Sequence, residues 1–202
     1  MTTLDEAPST PEPPAQGAPS HGGRKIAPWI AVGLAVVLLG LFVVLATAGR
    51  DDDNTADSHL LGRPAPEATG RLDDGTPFDL ARRKGSWVVL NFFTADCVPC
   101  IQEHPELVEF AEQQQTLGSE GAEFYSVIVN DTEQDVDEFF AEYGGDWPKI
   151  YSERGEFPVA FGVSAVPETW IVDPNGIVRV RIISKVTADD LNVTLQQLRE
   201  TT

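Results

Sequence analysis

The sequence predicts an α/β domain, one mixed sheet flanked by helices, carried behind a single apolar helix. Three observations predict it. An uncharged run of 24 residues extends from Ile26 to Gly49. Short apolar, β-rich runs then alternate with runs of helical period. A Cys-x-x-Cys pair stands where the first buried strand gives way to a helix. The chain has 202 residues, with 14 Lys+Arg against 32 Asp+Glu and a formal net charge of -18. That is one domain's length with some to spare. A nucleic-acid binder needs a basic stripe to displace counterions from phosphates, and this balance excludes that class. The two cysteines, Cys97 and Cys100, are too few for a disulfide-dense mini-domain or a four-thiolate zinc site. Acids and bases balance in residues 1–50, so the whole acidic excess belongs to residues 51–202.

Taken in order, residues 1–25 are rich in Pro, Ala, Gly, Ser and Thr without apolar periodicity. They cannot bury enough surface to fold, and a disordered cytoplasmic tail is expected. Residues 26–49 would span ~36 Å as a helix, enough to cross a ~30 Å hydrocarbon layer with some tilt. Pro28 falls in the first turn, where a missing N–H costs little, and Trp29 at the interface. Arg24 and Lys25 precede the span and Arg50 follows it, so the Lys/Arg count places the N-terminus inside. A cleaved signal peptide is the competing reading. The run is too long for an h-region and begins late, although Ala46-Thr47-Ala48 resembles a cleavage site. Either way the following domain lies outside the cytoplasm, where a dithiol can cycle through a disulfide.

Residues 50–60 read as a polar linker and 61–202 as the folded domain. Ala68–Leu72 and Thr76–Leu80 flank Asp73-Asp74-Gly75, a hairpin signal. Ser86–Phe93 is a buried strand, and 98–116 a helix with Ile101, Leu107, Phe110 and Ala111 on one side. Ala122–Val129 is a strand. Thr132–Tyr143 is an acidic helix with Asp131 as its N-cap. Thr169–Val172 and Ile177–Ile183 are strands joined by Asp173-Pro174-Asn175-Gly176, a turn sequence. Thr187 caps a last amphipathic helix running to Glu200. A βαβ unit followed by ββα makes one mixed sheet.

The Cys97-Val98-Pro99-Cys100 segment carries the chemistry. Two cysteines three apart in a first helical turn form a disulfide with little movement. The first also meets the unpaired N–H groups and the helix dipole, which favour a thiolate. Cys97 is then the attacking sulfur and Cys100 the resolving one; a static bridge over so short a loop would add little stability. Glu103 lies one turn beyond Cys100 on the same side. It is either an acid–base partner for Cys100 or a solvated helical carboxylate among Glu106, Glu109 and Glu112. Cys97, Cys100 and His104 also have a spacing that suits Cu(I) or zinc, against which a lone His followed by Pro105 reads as a polar surface residue. Asp96 either disfavours the Cys97 thiolate by its charge, or points to solvent or caps the helix. Val166-Pro167 before a strand is a candidate cis bond.

These residues together resemble the membrane-anchored thioredoxin-like proteins of the TlpA/ResA/CcmG (DsbE) family. Asn91, Phe92, Cys97, Pro99, Cys100, Glu103 and Pro105 match the family's active-site stretch. Phe161-Gly162-Val163, Pro167-Glu168-Thr169 and Asp173 with Gly176 match its cis-proline region, and Leu61 to Pro66 its domain start. The resemblance covers roughly residues 61–200. It implies a thioredoxin fold with an N-terminal β-hairpin extension after a single transmembrane helix. It implies a cis Val166–Pro167 bond facing the cysteine pair, with Val166, Pro167 and Glu168 against substrate. Glu103 is implied as an active-site acid and Glu168 as a second. The implied activity is thiol–disulfide exchange outside the membrane through the Cys97–Cys100 pair, without cofactor or metal, typically reducing the Cys-x-x-Cys-His site of apocytochrome c. A membrane electron-transfer protein would re-reduce it. The sequence departs from the family at Asp96, where Trp is usual, and at Ser164-Ala165-Val166 before the proline. The alternatives are a thiol oxidase of exported proteins, a peroxiredoxin-like peroxidase using Thr94-x-x-Cys97, and a copper chaperone using Cys97, Cys100 and His104.

Overall fold

The structure, a computed structural model, describes residues 27–48, 55–152 and 154–202. The chain divides after Asp52 into two units. In the first, α1 (Ala27–Ala48) is a helix of 22 residues. Its side chains are described at Ile30 and over 32–42, and all of these are exposed. Among the described residues no helix is long and apolar enough to cross a membrane. The tail expected at 1–25 and the first half of the linker lie outside the described residues.

The second unit is built on one seven-stranded sheet. A hairpin, β1 (Thr69–Leu72) and β2 (Pro77–Asp79), precedes the central strand β3 (Val88–Phe93). Then come α2 (Val98–Thr116), β4 (Glu123–Ile128), α3 (Glu133–Tyr143), β5 (Lys149–Tyr151), the short α4 (Glu156–Phe161), β6 (Glu168–Val172), β7 (Val178–Ile183) and α5 (Ala188–Thr201). The strand order is β2-β1-β5-β4-β3-β6-β7. β4 runs parallel to both β3 and β5; the other pairs are antiparallel. The architecture is the mixed α/β sheet expected, with its hairpin extension.

Every residue of β3 is buried, so period-two alternation sorts its side chains between two cores. Leu90 and Phe92 join Tyr125, Val127, Trp170 and Val172, and pack on Phe78, Phe157 and Phe161. Val89 joins Phe124 and Ile171 against Leu107, Phe110 and Ala111 of α2 and Leu191 and Leu195 of α5. A third cluster at the strand's end gathers Phe93, Cys100, Ile128, Val136 and Phe139. β1 approaches β5 closely at Gly70: a Cβ there would lie 2.6 Å from the Tyr151 carbonyl oxygen, so only glycine fits.

Two elements lack a sequence expectation. β5 has three residues and owes its extended form to pairing with Leu72, Arg71, Ser126 and Val127. α4 has six residues with Pro158 within it, held by Phe157 and Phe161 in the core. One cap is corrected. The α3 N-cap is Thr132, whose side chain accepts the Asp135 N–H, and Asp131 is used elsewhere.

The Asp173–Gly176 turn shows why its residues are there. Asp173 is buried, and its Oδ1 accepts the Asn175 and Ile177 N–H groups, both at 2.8 Å. Its Oδ2 accepts Arg179 Nε at 2.7 Å. Burial pushes the carboxyl's pKa up, but the bonds from Ile177, Arg179 and Asn175 outweigh it and hold the pKa below the usual carboxylate value. Gly176 takes φ 81°, which the turn requires of glycine. Asp173→Ala is expected to lower the unfolding free energy by about 2–3 kcal/mol, read by urea denaturation. A loss below about 0.5 kcal/mol would mean the turn stands without the carboxylate.

Candidate active site

β3 exhausts its pairing at Phe93, and the chain turns through Thr94, Ala95 and Asp96 into α2. A residue from the next loop fixes that turn. Asp131 Oδ2 accepts the Ala95 N–H at 2.6 Å and the Thr94 hydroxyl at 3.0 Å, while Oδ1 accepts the Thr132 N–H. Sequence reasoning gave Asp131 to the α3 cap because Asp is a good cap and stands one residue from the helix. The reach across to Ala95 is tertiary and has no local signal.

Cys97 is the N-cap of α2, and its Sγ accepts the Cys100 N–H at 3.2 Å. The two cysteines form a disulfide with Cα atoms 5.2 Å apart. Cys97 is half-buried, whereas Cys100 is 2% exposed, so an incoming thiolate reaches only the first sulfur. Across from the bridge, the Val166–Pro167 bond is cis and the Val166 carbonyl oxygen stands 3.8 Å from Cys97 Sγ. Cys97, Cys100 and Val166 share one apolar cluster. Asp96 is exposed and accepts the Thr94 hydroxyl at 3.2 Å; it does not cap the helix.

Glu103 follows Cys100 by three residues on α2 and is 1% exposed. Asn91 Nδ2 donates to Oε1 at 2.9 Å, and the Val186 N–H to Oε2 at 3.1 Å. Burial pushes its pKa from 4.5 to about 7, against the pull of Asn91, the Val186 N–H and Lys185. It is therefore not the solvated helical acid of the competing reading. Glu106, by contrast, binds the Ala188 N–H at the start of α5.

Two expected members sit elsewhere. His104 is buried, not at the surface. Its Nε2 lies 2.8 Å from the Gly144 carbonyl oxygen, and the rings of Phe139, Phe140, Tyr143 and Trp147 surround it. Burial lowers its pKa, opposed by the Gly144 contact. It holds the end of α3 instead of joining the sulfurs, and among the described residues no group of three or more His, Cys, Asp or Glu could hold a metal ion. Glu168 is also corrected. It shares a sheet face with Trp170, the face turned away from α2, and its carboxylate is taken up by Trp170 Nε1 at 2.7 Å and by Arg181. It braces the strand behind Pro167 and is not a second acid at the sulfurs. The Thr94 hydroxyl points to carboxylates, not to Cys97, which removes the contact a peroxidase reading needs.

A mixed sheet carrying a first-turn disulfide opposite a cis-proline matches known proteins. Residues 60–198 match the Redoxin family model. The chain belongs to the Redoxin family. Within that family it is similar to the thiol:disulfide interchange protein HelX of Rhodobacter capsulatus, at 32% identity over 69% of this chain and 77% of that one. It is also similar to the thiol:disulfide interchange protein DsbE of Vibrio cholerae, at 27% identity over 82% and 89%. Among solved structures, a thioredoxin-family thiol:disulfide interchange protein from Chlorobium tepidum superposes with a TM-score of 0.58, at 28% identity over 70% and 98%. This Redoxin-family chain is a thiol:disulfide oxidoreductase of DsbE/ResA type, and its redox group is the Cys97–Cys100 pair.

The clamp on the turn gives a test. Asp131→Ala is expected to slow exchange with a model disulfide about tenfold or more at Cys97, while costing about 1–2 kcal/mol of stability. Stopped-flow kinetics beside urea denaturation separate the two. An unchanged rate in a destabilised variant would reduce Asp131 to a scaffold residue.

Proposed function

We propose that this protein is an extracytoplasmic disulfide reductase of exported thiol proteins, acting on apocytochrome c. One observation carries it: a reachable Cys97 Sγ, backed by a helix N-terminus and the cis-proline edge, sits outside a sealed Cys100. In the dithiol form Cys97 attacks a substrate disulfide, and its thiolate is favoured by the Cys100 N–H and the helix dipole. A Cys97–substrate bond forms and one substrate thiolate leaves. Cys100 then gives its proton to Glu103 and attacks Cys97. The Cys97–substrate bond breaks, the Cys97–Cys100 bond forms, and the second substrate thiolate leaves and takes a proton from water. Two electrons pass to the substrate. The extended segment of the substrate lies against Val166 and Pro167. A membrane electron-transfer protein returns the two electrons.

Residues 1–25 stay in the cytoplasm, 26–49 cross the membrane as a single pass, and the linker 50–60 holds the domain 61–202 outside. The uncharged run, its length and the Arg24–Lys25 flank support this placement. The domain's acidic excess keeps it clear of an anionic membrane surface.

Cys97→Ser is expected to abolish exchange. Cys100→Ser is expected to trap mixed disulfides in the native membrane, with an apocytochrome among the partners after gel separation. No trapped apocytochrome would remove that substrate. A potential for the Cys97–Cys100 couple well below about −220 mV, measured against glutathione, fits a reductant, and one near −120 mV would reverse the direction to oxidation.

A further inference from the structure

Asn91 carries the one loose end in this site. It is 1% exposed in the middle of β3, facing α2. Its Nδ2 spends both hydrogens, one on Glu103 Oε1 at 2.9 Å and one on Thr169 Oγ1 at 3.1 Å. Its Oδ1 is buried with no partner among the described residues. Buried polar atoms are normally paired, and an empty acceptor in a core is costly. Glu103 has the opposite problem. Both its oxygens face N–H donors, from Asn91 and Val186, which suits an anion. A protonated carboxyl there has an O–H with no acceptor in front of it.

A half-turn of the Asn91 amide about χ2 answers the second: it turns Oδ1 toward the Glu103 carboxyl and Thr169, and moves Nδ2 to the side where Oδ1 had no partner. The amide's oxygen and nitrogen are nearly equal in size, so the exchange needs no repacking. We propose that Asn91 is a positioning residue whose amide faces Glu103 in two ways, with its N–H when the carboxyl is ionised and with its carbonyl oxygen when the carboxyl holds a proton. Thr169 serves both orientations, because its hydroxyl accepts from Nδ2 in one and donates to Oδ1 in the other. The proton that Cys100 releases then has a prepared place on Glu103. A leucine or an aspartate at this position cannot supply both contacts.

The charged surroundings do not compete for this role. Lys185, in the β7–α5 loop, faces Glu103 and also binds Gln102 at 3.1 Å. Glu106, one turn on, is bound to the Ala188 N–H. Glu168 and Arg181 pair on the other face of the sheet, and His104 is turned into the aromatic nest of α3. From β3 and β6 the groups presented to Glu103 and to the Asn91 amide are Asn91 itself and Thr169.

The inference rests on Glu103 as the proton acceptor for Cys100, and the test separates the two. The full-length reduced protein in detergent is mixed with 5,5′-dithiobis(2-nitrobenzoate). The first equivalent of thionitrobenzoate reports attack by Cys97 and the second reports resolution by Cys100. The resolving rate is expected to titrate near pH 7, and Glu103→Gln to remove that inflection. An inflection that persists in Glu103→Gln overturns the acid role itself. The bond to a carboxylate is about twice as strong as that to a neutral carboxyl, so losing the amide favours protonation. Asn91→Leu should therefore raise the midpoint by about one unit with the first step unchanged, and Thr169→Val should raise it by less. An unmoved midpoint in folded Asn91→Leu, with the inflection still lost in Glu103→Gln, overturns the positioning role alone. The unaltered protein gives a second readout that needs no variant. One Asn91 Nδ2 proton is expected at low field above the Glu103 midpoint and to lose that shift below it. A low-field proton on both sides of the midpoint would make Asn91 a one-way anchor and sink the proposal.

Discussion

β3 has a strand on each side, and its burial along its whole length constrains everything built at its end. Its backbone groups are taken by β4 on one side and β6 on the other. Its side chains must alternate between two dry cores. A shift of one residue would send Asn91 to the Phe161 side and Phe92 into α2, exchanging a polar contact for a clash in both layers. Register is therefore specified by the core, and the site inherits it. The same register that buries Val89 and Phe93 presents Asn91 to Glu103. The point where pairing runs out delivers Cys97 to the surface.

The chemical division between the two sulfurs follows from that placement. Cys97 stands beyond the end of the central strand, at a helix N-terminus, while Cys100 sits one turn in, within the cluster of Phe93, Ile128, Val136 and Phe139. Burial then acts on the two titratable groups of the next turn in opposite senses, and the outcome is the same. It raises the carboxyl of Glu103 and lowers the imidazole of His104, so both favour their neutral forms. The interior beside Cys100 holds a carboxyl that titrates near neutral pH, so its ionised form can take the Cys100 proton and is left without a charge once it has done so. His104 contributes by staying out, since its ring closes the aromatic nest and holds the Gly144 carbonyl.

What the sequence disclosed tracks how local each determinant is. The α2 span, the buried β3, the Asp173–Gly176 turn and the Thr187 cap are each written within a few residues, as helical period, apolar run, turn chemistry and capping hydroxyl. β5 and α4 are too short to carry a period and exist because the rest of the sheet and core accept them. Asp131 and Thr132 are equally good caps by composition. Only the distant Ala95 N–H decides between them, and it takes Asp131. Glu168 was misplaced for a different reason. Alternation from Trp170 already put its side chain on the far face, but its closeness in sequence to Pro167 obscured that. The membrane placement stands apart: it was read from a long uncharged run and its flanks, which is a statement about solvent and not about packing.

Burying Glu103 has an energetic consequence with a definite sign. Its pKa is 4.5 as the ordinary value and about 7 in the fold. Below pH 4.5 folded and unfolded chains both hold the proton, and the full stability of the domain is available. As pH rises from there to about 7 the unfolded chain releases the proton first, so stability falls. Above that it is lower by about 3 kcal/mol, the free-energy equivalent of the shift. Domains of this size hold about 5–15 kcal/mol in total. A glutamine would keep one of the two N–H contacts, with Asn91 or with Val186, without this cost. The carboxyl is worth keeping only if something uses its proton, and the sulfur that lies one turn away, closed off from water, is the group that needs it.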